Sequence, residues 1–128
     1  MKIGSTRILI VEDDQQRRLW FEARFAGYQC DVTDQVSIAI SWLKERDYDL
    51  IFLDHDLTEE HYYEALADDG LTGYVVAVWL AQNPDRQAPA QIIVHSLNHA
   101  GSARMIEVLH TAGRKAEHLP FPYLSSLF

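Results

Sequence analysis

Three clusters of chemically capable side chains interrupt apolar runs in this sequence. Glu12-Asp13-Asp14 follows Ile8-Leu9-Ile10-Val11, Asp54-His55-Asp56 follows Leu50-Ile51-Phe52-Leu53, and His95-Ser96-Leu97-Asn98-His99 follows Ile92-Ile93-Val94. His118 stands at the end of a weaker fourth run. Polar residues gather wherever a chain meets solvent, and that alone accounts for Glu59, Glu60, Asp68 and Asp69. It accounts less well for Asp13, Asp14 and Asp54, because three acids held in one crevice repel one another. A bound cation relieves the repulsion, and carboxylate oxygens are hard donors that suit Mg²⁺. The chemistry therefore depends on whether the clusters lie side by side, which the intervening elements decide.

Those elements alternate strand and helix. Arg7 to Val11 is a continuous β-branched run, the pattern of a strand buried on both faces. Leu19 to Ala26 reads as a helix closed by Gly27. Cys30, Val32 and their neighbours form a second strand, and Asp34 is placed to cap the next helix. Val36, Ala39, Ile40 and Leu43 fall at i, i+3, i+4 and i+7, one helical face. Asp49 to Leu53 is a third strand, Thr72 to Gln82 a nearly all-apolar helix ended by Asn83-Pro84, and Gln91 to Val94 a fourth strand. Ser102 to Ala112 is a helix with Met105, Ile106 and Leu109 inward and Gly113 as its stop. Lys115 to Leu119 is a weak fifth strand, and Pro122 to Phe128 has room for one or two helical turns.

Five strands alternating with helices predict an α/β domain over residues 1–128. Its parallel sheet is flavodoxin-like, in the order 2-1-3-4-5, with right-handed crossovers and helices on both faces. In that order strands one, three and four are neighbours. The acidic and histidine clusters then converge at the carboxyl edge, where open α/β sheets bind ligands. The segment from His55 to Gly70 is the one irregularity, about sixteen residues where two to six are usual. With His61, Tyr62 and Tyr63 it is expected either to cover the pocket as a lid or to pin itself to the core as a helical turn. Trp20, Trp42 and Trp79 lie on or near apolar stripes and read as packing.

Ile8-Leu9-Ile10-Val11-Glu12-Asp13-Asp14 resembles the opening of a response-regulator receiver domain, and Leu50-Ile51-Phe52-Leu53-Asp54 resembles its phospho-acceptor strand. The resemblance spans essentially the whole chain. It implies Asp54 as phospho-acceptor and a histidine kinase as partner in a two-component phosphorelay. It implies Mg²⁺ held by Asp13, Asp14, Asp54 and the backbone carbonyl of Asp56, with Ser96 donating to a phosphoryl oxygen. The chain departs from receivers in Leu119-Pro120-Phe121, where they carry Lys-Pro-Phe. Lys115 lies too early to replace that lysine, Thr58 stands where a proline is usual, and the closing helix is short. Leu53-Asp54-His55-Asp56-Leu57 and Val94-His95-Ser96-Leu97-Asn98, with Gly101 and Met105, resemble the receiver branch named for processing cyclic phosphates. That branch keeps the acids, lacks the lysine and adds both histidines.

Opening a cyclic phosphate needs a metal against the phosphoryl oxygens, a base for water and an acid for the leaving oxygen. His55 and His95, beside Asp54 and Ser96, are candidate proton carriers, and Asn98 a candidate donor to a phosphoryl oxygen. Strand neighbours point to opposite faces, so a buried His95 bonded to backbone is an equal alternative. His99 reads as a third polar group or a capping residue, and His61 and His118 as surface residues. His110 is a mid-helix residue without a role. A zinc site from His55, His95 and His99 lacks any standard ligand spacing.

Composition narrows the classes further. The 128 residues contain one cysteine, which excludes an internal disulfide and fits a reducing cytoplasm. The run from Ile8 stops at Glu12, unlike a signal peptide, and no apolar stretch approaches the ~20 residues of a membrane span. Nineteen acids against eleven bases give a net charge of −8, which repels duplex nucleic acid and acidic membranes. Three classes are left: a metal-dependent phosphoesterase acting on the cyclic phosphate of an RNA end or nucleotide, a phospho-acceptor receiver, and a non-catalytic interaction module. The missing lysine weighs against the second and the retained acids against the third.

Overall fold

The computed structural model describes residues 5–57 and 72–128. The chain runs β1 (Arg7–Val11), α1 (Gln15–Arg24), β2 (Gln29–Thr33), α2 (Val36–Glu45), β3 (Leu50–Leu53), α3 (Gly73–Gln82), β4 (Gln91–Val94), α4 (His99–Thr111), β5 (Lys115–His118) and a closing 3-10 helix (Phe121–Ser126). All five strands are parallel, in the order β2-β1-β3-β4-β5. This is the flavodoxin-like order expected from the alternation of elements.

The unalternated strands are buried on both sides. Leu9, Val11, Ile51, Leu53, Ile92 and Val94 face one cluster with Ala39 and Leu43 of α2, Val76 and Leu80 of α3, and Met105 and Leu109 of α4. Ile8, Ile10, Leu50, Phe52 and Ile93 face the other, with Phe21 and Phe25 of α1 and Leu124 of the 3-10 helix. Trp42 and Trp79 pack against the first cluster and Trp20 against the second. Among the described residues no helix is long and apolar enough to cross a membrane.

Several boundaries differ from the sequence expectation. Helix α1 begins at Gln15 rather than Leu19, because the Asp14 side chain accepts from the Arg17 N–H and caps a polar first turn. Asp34 does not cap α2; Gln35 is its N-cap residue, and Thr33 Oγ1 accepts from the Gln35 N–H instead. Helix α4 begins at His99, capped by the Asn98 side chain, three residues before the expected start. Gly113 does close α4, with φ of 80° and its N–H donated to His110 O. The expected lid falls mostly on residues 58–71, with His61, Tyr62 and Tyr63, and these lie outside the described residues.

Candidate functional site

Register explains which side chains meet. Val11, Leu53 and Val94 are mutual partners across β1, β3 and β4, and Val94 pairs with His118 of β5. One residue further on, the ladder continues. Asp54 N–H donates to Val11 O, His95 N–H to Leu53 O, and Leu119 N–H to Val94 O. Glu12, Asp54, His95 and Leu119 therefore form a row along the carboxyl edge. By the period of two they follow Ile10, Phe52 and Ile93 onto the α1 face of the sheet.

The row holds a buried hydrogen-bonded pair. His95 Nε2 lies 2.8 Å from Glu12 Oε1, and both side chains are wholly buried. Glu12 Oε2 accepts from the N–H groups of Asp13 and Asp14, each at 3.0 Å. Burial opposes its charge, but His95 and the backbone donors outweigh it and hold the carboxyl down to about 2. His95 is shifted the other way, below its ordinary value by burial, so the ring is neutral and donates from Nε2. Among the described residues its Nδ1 has no hydrogen-bond partner, and the ring sits edge-on to Phe21 and Phe52.

Asp54 is 2 % exposed and bound through Oδ1 to the His55 N–H at 2.8 Å. Burial, followed by the Glu12 charge, pushes its carboxyl up to about 8. Asp13 reaches solvent, yet partial desolvation and the same Glu12 charge push it up to about 7. A cleft of about 440 Å³ opens over these groups, lined by Asp13, Asp14, Arg17, Asp54, Asp56, Ser96 and Asn98 among others. Arg17 reaches in from α1, 3.6 Å from Asp54 Oδ2 and 3.6 Å from Glu12 Oε1.

Not every expected site residue stands at the cleft. Asp13, Asp14, Asp54, Asp56, Ser96 and Asn98 line it, while His55 and His95 do not. His55 is 4 % exposed, with Nδ1 2.8 Å from Asp56 Oδ1 and its ring flat against Gly101. A Cβ on Gly101 would stand 2.5 Å from that ring, so only glycine admits the histidine here. Asn98 Nδ2 reaches Asp56 at 3.3 Å while its Oδ1 accepts from the Gly101 N–H at 2.9 Å. Ser96 Oγ accepts from the Asn98 N–H at 3.0 Å. His118, expected at the surface, is partly buried and donates to Ser96 O at 2.9 Å. Lys115 pairs with Gln91 at the amino end of the strands, far from this edge.

The closest potential metal-binding cluster among the described residues is Glu12, Asp54 and His95, whose ligand atoms lie within 4.8 Å of one another. Asp13, Asp14 and Asp56 line the cleft outside that cluster, and His55, His95 and His99 do not assemble a zinc site. Glu12 and Arg17 were not singled out from sequence. The strand order and the period of two could have placed Glu12 beside His95. Nothing in the sequence marks Arg17, because its position follows from the early start of α1.

The fold and the acidic carboxyl-edge cleft define a receiver domain. In structure the chain is similar to a CheY-like response regulator receiver domain from Methanospirillum hungatei JF-1, with 16 % identity, a TM-score of 0.63, and 91 % of this chain and 82 % of that one covered. It is also similar to the response regulator TrrA from Thermotoga maritima in complex with Mg(2+)-BeF, with 20 % identity, a TM-score of 0.64, and 94 % of each chain covered. A third similar structure is the receiver domain of a signal transduction histidine kinase from Syntrophus aciditrophicus, with 22 % identity, a TM-score of 0.64, and 95 % and 86 % covered. No curated protein matches the chain in sequence. The family model for the cyclic-phosphate processing receiver domain matches residues 7–111, and the chain belongs to that family.

Proposed function

We propose that this receiver binds Mg²⁺ in the Asp54 cleft and uses it to handle phosphoryl groups, with a cyclic phosphate on a nucleotide or RNA end as substrate. The observation that carries the reading is Asp54, buried with a carboxyl pushed up to about 8, in a cleft it shares with Asp13 and Asp56. Such acids are unfavourable as bare anions and favourable as hard oxygen ligands. The Mg(2+)-BeF complex of TrrA is a precedent on the same fold.

In this reading Asp13, Asp54 and Asp56, the last also through its backbone carbonyl, would hold the ion. Bound Mg²⁺ neutralises charge on the phosphoryl oxygens. Asp14, engaged in capping α1, is the weakest of the expected ligands. The Ser96 hydroxyl, whose oxygen already accepts from Asn98 N–H, has its proton left to donate to a phosphoryl oxygen. Asn98 steadies Asp56 from the start of α4. His55 and His95 are positioning residues, the first behind Asp56 and the second beneath Glu12. Taking a proton from water then falls to a carboxylate lining the cleft.

Calorimetry of Mg²⁺ binding to the wild-type chain and Asp54→Asn, beside a 2′,3′-cyclic nucleotide panel and acetyl phosphate labelling, tests this. The expected result is Mg²⁺-dependent ring opening, with metal affinity lost in the variant. Stable labelling of Asp54 without ring opening would replace it with a phospho-acceptor served by a histidine kinase. Unchanged Mg²⁺ affinity in Asp54→Asn would remove the site.

A further inference from the structure

A phosphoryl anion entering this cleft meets four carboxylates, those of Asp13, Asp14, Asp54 and Asp56. The row position beyond His95 is occupied by Leu119, an apolar side chain packed toward Phe21 and Phe52. His95 is bonded to Glu12 and turned into the aromatic cluster, away from the cleft. Arg17 is the one basic side chain lining the cleft among the described residues.

We propose that Arg17 is the phosphoryl-recognition residue of this cleft and selects a phosphodiester with two unesterified oxygens. The proposal deepens the function above and rests on it. The guanidinium is held without being used up. It stands 5.7 Å from the centroid of the Phe121 ring, a cation–π contact that tethers it at the cleft. Its two carboxylate neighbours lie at 3.6 Å, beyond hydrogen-bond range. Among the described residues no acceptor takes a hydrogen bond from its side chain. Only Nη1 faces Glu12 and Asp54, so at the wall of the cleft the remaining N–H donors of the fork are left for a ligand. A planar fork matches two oxygens on one phosphorus, the arrangement a cyclic phosphodiester presents. The early start of α1 is what brings Arg17 here, since Asp14 caps the helix by accepting from the Arg17 N–H itself.

Calorimetry at saturating Mg²⁺ tests the proposal with two probes, beryllofluoride and 2′,3′-cyclic AMP, on wild type, Arg17→Met and Arg17→Lys. Methionine keeps the contact with Phe121, so the fold is retained, which thermal melting verifies. Expected is a loss of about tenfold or more in affinity for both probes in Arg17→Met, and partial recovery for beryllofluoride but less for the cyclic phosphate in Arg17→Lys. Mg²⁺ affinity should be unchanged or tighter, because a competing cation is gone. Normal probe binding in Arg17→Met would make Arg17 a counter-ion for Glu12 and Asp54 only, and would leave the proposed function standing. Arg17-dependent beryllofluoride binding by a wild type that neither binds nor opens the cyclic nucleotide would keep Arg17 as an anion contact, but would end both its selectivity and the proposed substrate. Wild type binding neither probe would overturn both.

Discussion

His95 Nε2 donates to Glu12 Oε1 at 2.8 Å, in a contact wholly closed to solvent. The pair reaches across Asp54 in the edge row, so the innermost acid is hydrogen-bonded by an internal imidazole rather than paired with a strand-five lysine. Breaking such a pair on one side strands the other partner in the protein interior. Glu12→Gln and His95→Phe should each cost about 3 kcal/mol in urea denaturation at pH 7. The double variant should cost at least about 1 kcal/mol less than their sum. Strict additivity would show that the contact contributes no mutual stabilisation.

Buried Asp54 sets the pH behaviour of the cleft without metal. Asp54 titrates near 8 in the folded chain against 3.8 as an ordinary carboxyl, so folding favours its protonated form and loses stability as pH rises toward 8. Asp13, raised to about 7, acts in the same direction but more weakly because it reaches solvent. His95 works against them at lower pH, since burial opposes its protonation and stability therefore rises with pH until about 6.5, above which His95 has no effect. Glu12, held at about 2, is constant throughout this window. Without metal, the melting temperature should therefore fall between pH 6.5 and 8. Asp54→Asn should flatten most of that slope, and saturating Mg²⁺ should reverse it. A metal-free wild type whose melting temperature rises across this window would contradict the burial of Asp54 as an acid.

Arg114 offers a control in which stability and site separate. It is 8 % exposed and donates to the carbonyls of Leu80, Asn83, Arg86 and Gln87, closing the carboxyl end of α3. Arg114→Met should cost about 3 kcal/mol by leaving these acceptors unpaired. Mg²⁺ affinity should stay at the wild-type value, because β5 separates this cap from the cleft. A weakened metal site in a variant that is still folded would show coupling across the sheet.

What sequence made legible follows from what repeats along a chain. The unalternated apolar runs at Arg7, Leu50 and Gln91 and the helical spacing of Val36, Ala39 and Leu43 reported burial, and burial determined the sheet. The cleft acids were legible because strand ends carry ligands in such sheets. Non-periodic choices were not legible. Asp14 caps its own helix, and so shifts α1 and Arg17. Gln87 adopts a φ of 57° and bonds Leu43 O, Arg46 O and the Tyr48 N–H. His55, expected as a proton carrier, is held in place by Gly101, a residue 46 positions away that carries no side chain to signal the contact.

That packing of His55 on Gly101 gives the sharpest test of how Asp56 is held. In Gly101→Ala the new methyl would stand 2.5 Å from His55 Cδ2 and 2.8 Å from Nε2, so the ring must leave its seat and release Asp56 Oδ1. Overpacking of this kind costs about 1–3 kcal/mol. Mg²⁺ affinity should fall with it, because Asp56 would lose its 2.8 Å contact with the imidazole and keep longer ones such as those from Asn98 at 3.3 and 3.4 Å. Pairing the change with His55→Ala removes the clash, so the double variant should regain most of the stability. It should not regain the affinity, since the imidazole that orients Asp56 is still missing. Denaturation curves and Mg²⁺ calorimetry on the two single variants and the double variant separate the two effects. Affinity that returns together with stability would mean that His55 only fills space beside Gly101 and does not position the carboxylate.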